Sequence, residues 1–164
     1  MKRRFALVMA VGFLVIPCAA ASAQTPTTCQ PVSGKFNELI LPQAAAPNDP
    51  LGRILGTMDG SLEGATTAFL TSLAPILNGG LHVTSYNSFA TLAGNTLFTI
   101  GAADWAFIKS GYYQVSLTLS IVGGTGTYAG AVGTINALGV GNNVGPGTGQ
   151  FLYEYRGQVC TPVH

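Results

Sequence analysis

Charged side chains are scarce in this chain: Asp, Glu, Lys and Arg make up 8% of its 164 residues, against about a quarter in an ordinary soluble domain. Three of the seven cations, Lys2, Arg3 and Arg4, sit at the extreme N-terminus, which leaves four cations and six carboxylates in the rest, net −2. A nucleic-acid surface needs clustered Lys and Arg to neutralise phosphates, so nucleic acid is not an expected partner. Histidine is limited to His82 and His164, and cysteine to Cys18, Cys29 and Cys160. No metal-ligand spacing occurs among them, and neither a metal nor another cofactor is expected. Sustained helical periodicity is also missing, which points to an all-β chain.

The N-terminal segment 1–23 has the three parts of a secretory signal peptide. A basic start precedes the apolar run 5–20, and Ala21-Ser22-Ala23 supplies the small residues of a cleavage site. The apolar run is shorter than the ~20 residues a membrane span needs. The sequence therefore predicts a secreted or periplasmic protein with no membrane partner after cleavage. Residues 24–164, about 140 in all, suit a single domain with one core. Cys29 and Cys160 lie near the two ends of that domain, and export favours a disulfide between them. In the chain-entropy view a closed loop of ~100 residues or more contributes about 4–5 kcal/mol.

Eight short strands are expected, at 35–41, 51–59, 65–73, 82–90, 96–107, 113–122, 131–140 and 150–159, with 24–33 an extended tail. Strand 113–122 alternates Tyr113, Val115, Leu117, Leu119 and Ile121 with Gln114, Ser116, Thr118 and Ser120. Strand 82–90 places Val83, Ser85, Asn87 and Phe89 on one face and His82, Thr84, Tyr86 and Ser88 on the other. Three prolines mark 42–50 as a loop, and glycines mark another at 141–147. Turn signals every 10–15 residues or so suit a sandwich or a barrel, and the 22 glycines suit strands that bend sharply into a small closed barrel.

The segment 121–133, IVGGTGTYAGAVG, contains a formal dinucleotide-binding match at Gly124, Gly126 and Ala129. That motif requires a helix to begin there, whereas the residues that follow read as a strand. Gly123, Gly124, Gly126, Gly130 and Gly133 are expected to form a tight structural turn between two strands. The same segment resembles the loop-and-strand signature of the allene oxide cyclase/dirigent barrel superfamily. The ending FLYEYRGQVC (151–160) resembles that of its secreted bacterial members, and 48–56 faintly resembles the opening of plant dirigent proteins. The resemblance implies an eight-stranded antiparallel closed barrel, often a homo-trimer, with an apolar cavity and no cofactor. It also implies, for the cyclases, a glutamate facing inward from the first strand, where this chain has Lys35, Asn37 and Glu38. Dirigent proteins usually carry an arginine immediately before the position of Gly133, and here Val132 stands there.

An enclosed barrel site needs a few polar groups in an apolar wall. Candidates for ligand binding are Asp59, Tyr86, Asp104, Tyr113, Tyr153 and Tyr155, with Glu63 as a further carboxylate. Asp59 and Glu63 read first as turn residues beside Gly60 and Gly64, and Asp104 faces the cavity only if its neighbour Trp105 faces out. No catalytic residue is assigned and the question of enzyme activity stays open. The leading expectation is a barrel that binds a small hydrophobic molecule in its cavity. The alternatives are a cofactor-free isomerase or cyclase, a dirigent-like stereochemical scaffold, and a secreted structural or interaction protein.

Overall fold

The computed structural model describes residues 27–41, 51–145 and 148–163. The expected signal segment 1–23 and the expected loop 42–50 lie outside them. Eight strands run in chain order: β1 (Thr27–Leu41), β2 (Arg53–Met58), β3 (Gly64–Ile76), β4 (Gly80–Thr91), β5 (Thr96–Lys109), β6 (Tyr112–Gly124), β7 (Val132–Gly145) and β8 (Thr148–Pro162). Each pairs antiparallel with the next, and β8 returns to pair with β1, closing the barrel. The strand count and the all-β closed-barrel class agree with the sequence expectation.

Two boundaries differ from it. The expected tail 24–33 is strand from Thr27 onward, because β1 pairs with β8 from Thr27 opposite Pro162. Its pairing with β2 begins only at Phe36, so Pro31 lies on a stretch with one strand neighbour, where a missing N–H is tolerated. Most of the expected glycine loop 141–147 is likewise strand, with β7 reaching Gly145 and β8 starting at Thr148. The 121–133 segment ends β6, makes a short 3-10 turn at Gly126–Tyr128 and enters β7, with no helix of the dinucleotide kind. Gly123, Gly126, Gly130 and Gly133 all have positive φ there.

Strand alternation decides which side chains fill the barrel. On β8, Phe151, Tyr153, Tyr155 and Val159 are buried while Leu152, Glu154 and Arg156 face out. On β6, Val115, Leu119 and Ile121 are buried while Ser116 and Ser120 face out. The interior is threaded by aromatic rings. Phe36 stacks on Tyr155 at 4.5 Å and on Phe89 at 5.5 Å between centroids, and Phe151 bridges Tyr153 at 5.9 Å and Trp105 at 4.7 Å. A lipid-embedded barrel has a polar interior, whereas the interior here is mostly apolar. Among the described residues no helix is long and apolar enough to cross a membrane.

The two ends of the barrel differ. At one end lie the turns Gly60–Leu62 and Gly126–Tyr128, the start of β1 and the end of β8, where Cys29 and Cys160 are joined by a disulfide. Buried Leu62 and Ala131 plug this end. At the other end the β3–β4 and β5–β6 hairpins project, and inward-facing Ile40, Leu70, Leu81, Leu117 and Tyr113 are only half-buried.

The disulfide spans 131 residues of sequence and ties the seam at the plugged end. Replacing Cys29 and Cys160 together by serine should lower unfolding free energy by about 4–5 kcal/mol, read as a lower urea midpoint with a steeper slope, because the uncrosslinked unfolded chain exposes more surface.

Candidate functional site

In the middle of the barrel the aromatic packing leaves a cavity of about 30 Å³, room for one or two waters. Its wall is mostly apolar, with Phe36, Val83, Leu117 and Trp105 among its lining residues, and it carries a set of polar groups: Glu38, Ser85, Asn87 and Tyr153.

Glu38 comes from β1, one alternation step beyond Phe36, and is only 6% exposed. Its cross-strand partner on β2 is Gly56, which in turn pairs with Thr66 on β3. A Cβ at Gly56 would come within 2.7 Å of the Glu38 Cγ. The missing side chain lets the carboxyl cross over β2, where Oε1 accepts a 2.5 Å hydrogen bond from the Thr66 hydroxyl. Burial pushes the Glu38 carboxyl up from the usual carboxylate range, and the Thr66 bond opposes this more weakly. The Tyr153 phenol is pushed well above its ordinary value, first by burial and then by the negative charge Glu38 can carry. Tyr153 therefore keeps its proton.

The β4 and β5 strands supply a second polar group. Ser85 Oγ donates to Asn87 Oδ1 at 3.0 Å, and Asn87 Nδ2 donates to Thr99 Oγ1 at 3.1 Å. All three residues are buried. The space is again opened by a glycine: a Cβ at Gly101, opposite Ser85, would come within 2.8 Å of Asn87 Nδ2. The cavity thus offers a carboxyl shifted toward its protonated form and a phenol, with an amide and a hydroxyl supplied by β4, in an apolar wall. Such a set can donate to, or protonate, an oxygen on a bound molecule. Among the described residues no group of three or more metal-ligating side chains comes together.

The structure spreads the six candidate ligand-binding residues over different parts of the barrel. Tyr153 lines the cavity. Tyr155 is buried nearer the plugged end, where its hydroxyl donates to the Asp59 carbonyl at 2.8 Å and accepts from the Leu62 N–H at 3.1 Å. Asp59 is exposed in that turn and accepts from the Lys35 N–H at 2.7 Å, and Glu63 is exposed beside it. Tyr113 lies toward the hairpin end against Trp105 and Phe107. Tyr86, 59% exposed, points outward. Because Trp105 is buried, Asp104 faces out as well, 2.6 Å from His82 Nδ1. Glu38, Ser85, Asn87 and Thr99 were absent from the candidate set, although Ser85 and Asn87 share the strand face that also carries Val83 and Phe89.

Comparison with known proteins adds little. No family pattern matches the chain, and no curated protein matches it. Among solved structures, the pterocarpan synthase dirigent protein GePTS1 aligns over 84% of this chain and 87% of its own, with 14% identity and a TM-score of 0.34.

Two outcomes follow from the site's chemistry. A carboxyl whose value is raised by folding stabilises most below the ordinary carboxylate range, and that contribution is lost as pH rises through the raised value. Glu38→Gln should therefore melt several degrees above the parent at about pH 8, with the advantage fading by about pH 4. Tyr155→Phe leaves the buried Leu62 N–H without its acceptor and should lose about 1–3 kcal/mol, measured by urea unfolding.

Proposed function

We propose that the barrel is an exported, cofactor-free site for a small, mostly apolar molecule carrying one or two oxygen atoms, held with its oxygen against Glu38. The observation that carries this reading is the buried Glu38 carboxyl, set on an interior cavity with Tyr153 and faced by Asn87 on a different strand. A carboxyl in such surroundings costs stability, and perturbed acids in enclosed sites are characteristic of function. The disulfide fits an oxidising compartment, and the signal-like segment 1–23 supplies the route there. The sequence resemblance to the allene oxide cyclase/dirigent superfamily, with its inward glutamate on the first strand, points the same way.

Entry requires the wall to give, since 30 Å³ is far below the roughly 300 Å³ or more of ordinary ligand pockets. The half-buried Leu70 and Leu117 lie toward the hairpin end and are the side chains placed to move. Once inside, a substrate would be confined against Glu38 and the Tyr153 phenol as proton donors, the arrangement an isomerisation or cyclisation needs. Holding and catalysis therefore share one site. The outward-facing Leu39, Leu55, Leu138 and Leu152 suit contacts between copies, in keeping with the trimer that the resemblance implies. The small cavity favours a second reading, a structural barrel whose interior takes no ligand.

Trp105 is the sole tryptophan and lines the cavity, so its fluorescence reports occupancy. Titration with 2-cyclohexenone or phenol should change the emission saturably, and Glu38→Leu should weaken that binding at least about tenfold, the loss of a charge-assisted or acid hydrogen bond. Native mass spectrometry of the exported protein should show a small molecule that denaturation releases. Unsaturable emission together with a ligand-free mass would favour the structural barrel.

A further inference from the structure

The hairpin end of the barrel carries apolar side chains that the interior does not use. In the β3–β4 hairpin Leu73, Ile76 and Leu77 are exposed, Leu77 to 90%. Its tip turns through Asn78 and Gly79, both with positive φ. The β5–β6 hairpin stands directly beside it, since β4 pairs with β5 through Leu81 and Trp105. There the register slips between Phe107 and Lys109. The extra residue, Ile108, breaks the alternation, so that Phe107 and Ile108 are both exposed, Ile108 to 56%. Phe107 keeps an edge contact with Tyr113 at 6.0 Å, while the bulge leaves Ile108 facing solvent.

The charge at this end is as selective as its hydropathy. No carboxylate occurs from 64 to 103 or from 105 to 153, so neither hairpin tip carries an acid. Asp104, between those stretches, is paired with His82. The cation at the tips is Lys109, whose Nζ lies 4.8 Å from the centre of the Tyr112 ring. The chain beyond its first 23 residues is net negative, so these two hairpin tips, apolar with one lysine and no acid, contrast with the charge of the rest. Apolar tips flanked by Tyr and Lys match the chemistry of a bilayer interface, where aromatic rings and lysines sit at headgroup level and aliphatic groups enter the acyl boundary.

We propose that the two adjacent hairpins, β3–β4 and β5–β6, dock the barrel on an anionic lipid bilayer surface, inserting Ile76, Leu77, Phe107 and Ile108 with Lys109 and Tyr112 at headgroup depth. The docking is peripheral and needs no spanning segment. It departs from the sequence expectation of no membrane partner, which rested on the lack of such a segment. It also places the half-buried mouth residues at the lipid side.

The test is co-sedimentation of the mature protein with vesicles of phosphatidylglycerol and phosphatidylethanolamine, and with pure phosphatidylcholine. The parent should pellet with the anionic vesicles, more weakly in high salt. The double variant Leu77→Asp/Ile108→Asp should lose at least about tenfold in partitioning, since each large aliphatic side chain removed from lipid is worth that much. Leu92→Asp, a change of the same kind in the exposed β4–β5 turn at the opposite end of the barrel, should partition like the parent. All these residues are exposed, so equal thermal melting verifies that the variants fold. Parent protein that stays in the supernatant with both vesicles would overturn the proposal, as would a double variant that pellets like the parent. A double variant that loses self-association without lipid, and not lipid binding, would assign the patch to a second copy of the chain. Glu38→Gln should leave partitioning unchanged, which keeps this outcome separate from that of the interior site.

Discussion

Pairing of β1 with β8 runs from Thr27 opposite Pro162 to Ile40 opposite Gly149, and this seam turns a meander of sequential neighbours into a ring. Closure fixes an inside and an outside for every strand at once, because a slip of one residue anywhere would exchange the two faces. The seam is held by the longest register in the barrel, by a disulfide at one end of it and by the aromatic stack that β1 and β8 share through Phe36 and Tyr155. The edge of β1 that has no strand beside it is occupied by the turn after β2, where Ser33 and Lys35 donate their backbone N–H groups to Ser61 and Asp59.

Inside this ring two demands compete. Stability favours filling the interior with rings, and Phe36, Phe89, Trp105, Phe151 and Tyr155 do so. The polar groups Glu38, Thr66, Ser85, Asn87 and Thr99 work against it, since each must find a partner out of water. The partners are found within the set, and no buried side-chain polar atom among the described residues is left unsatisfied. Glycines at 56 and 101 make that satisfaction geometrically available. The carboxyl remains the weak point, since its Thr66 bond does not offset its desolvation.

The sequence displays much of this and conceals a specific part. Strands β6 and β8 are legible because one face is apolar and the other is not. Strand β1 is not, since Phe36, Glu38 and Ile40 share one face and Lys35, Asn37 and Leu39 the other, so each face mixes apolar with polar groups. Alternation alone does not decide which looks inward, and with that choice goes Glu38. The same parity places Tyr86 and Asp104 outside, because their neighbours Ser85, Asn87 and Trp105 take the interior. The early start of β1 is hidden for another reason: residues 27–35 pair on one side with β8, some 130 residues away, and long-range pairing leaves no local pattern.

A ring has no first strand in the mechanical sense. Removing β8 from one terminus, or β1 from the other, breaks the same seam and leaves the same kind of lesion: an open seven-stranded sheet with two bare edges around an apolar face. Bare edges of that kind are templates for strand addition by another chain, so truncation at either terminus converts a self-satisfied cylinder into a surface that recruits its own kind.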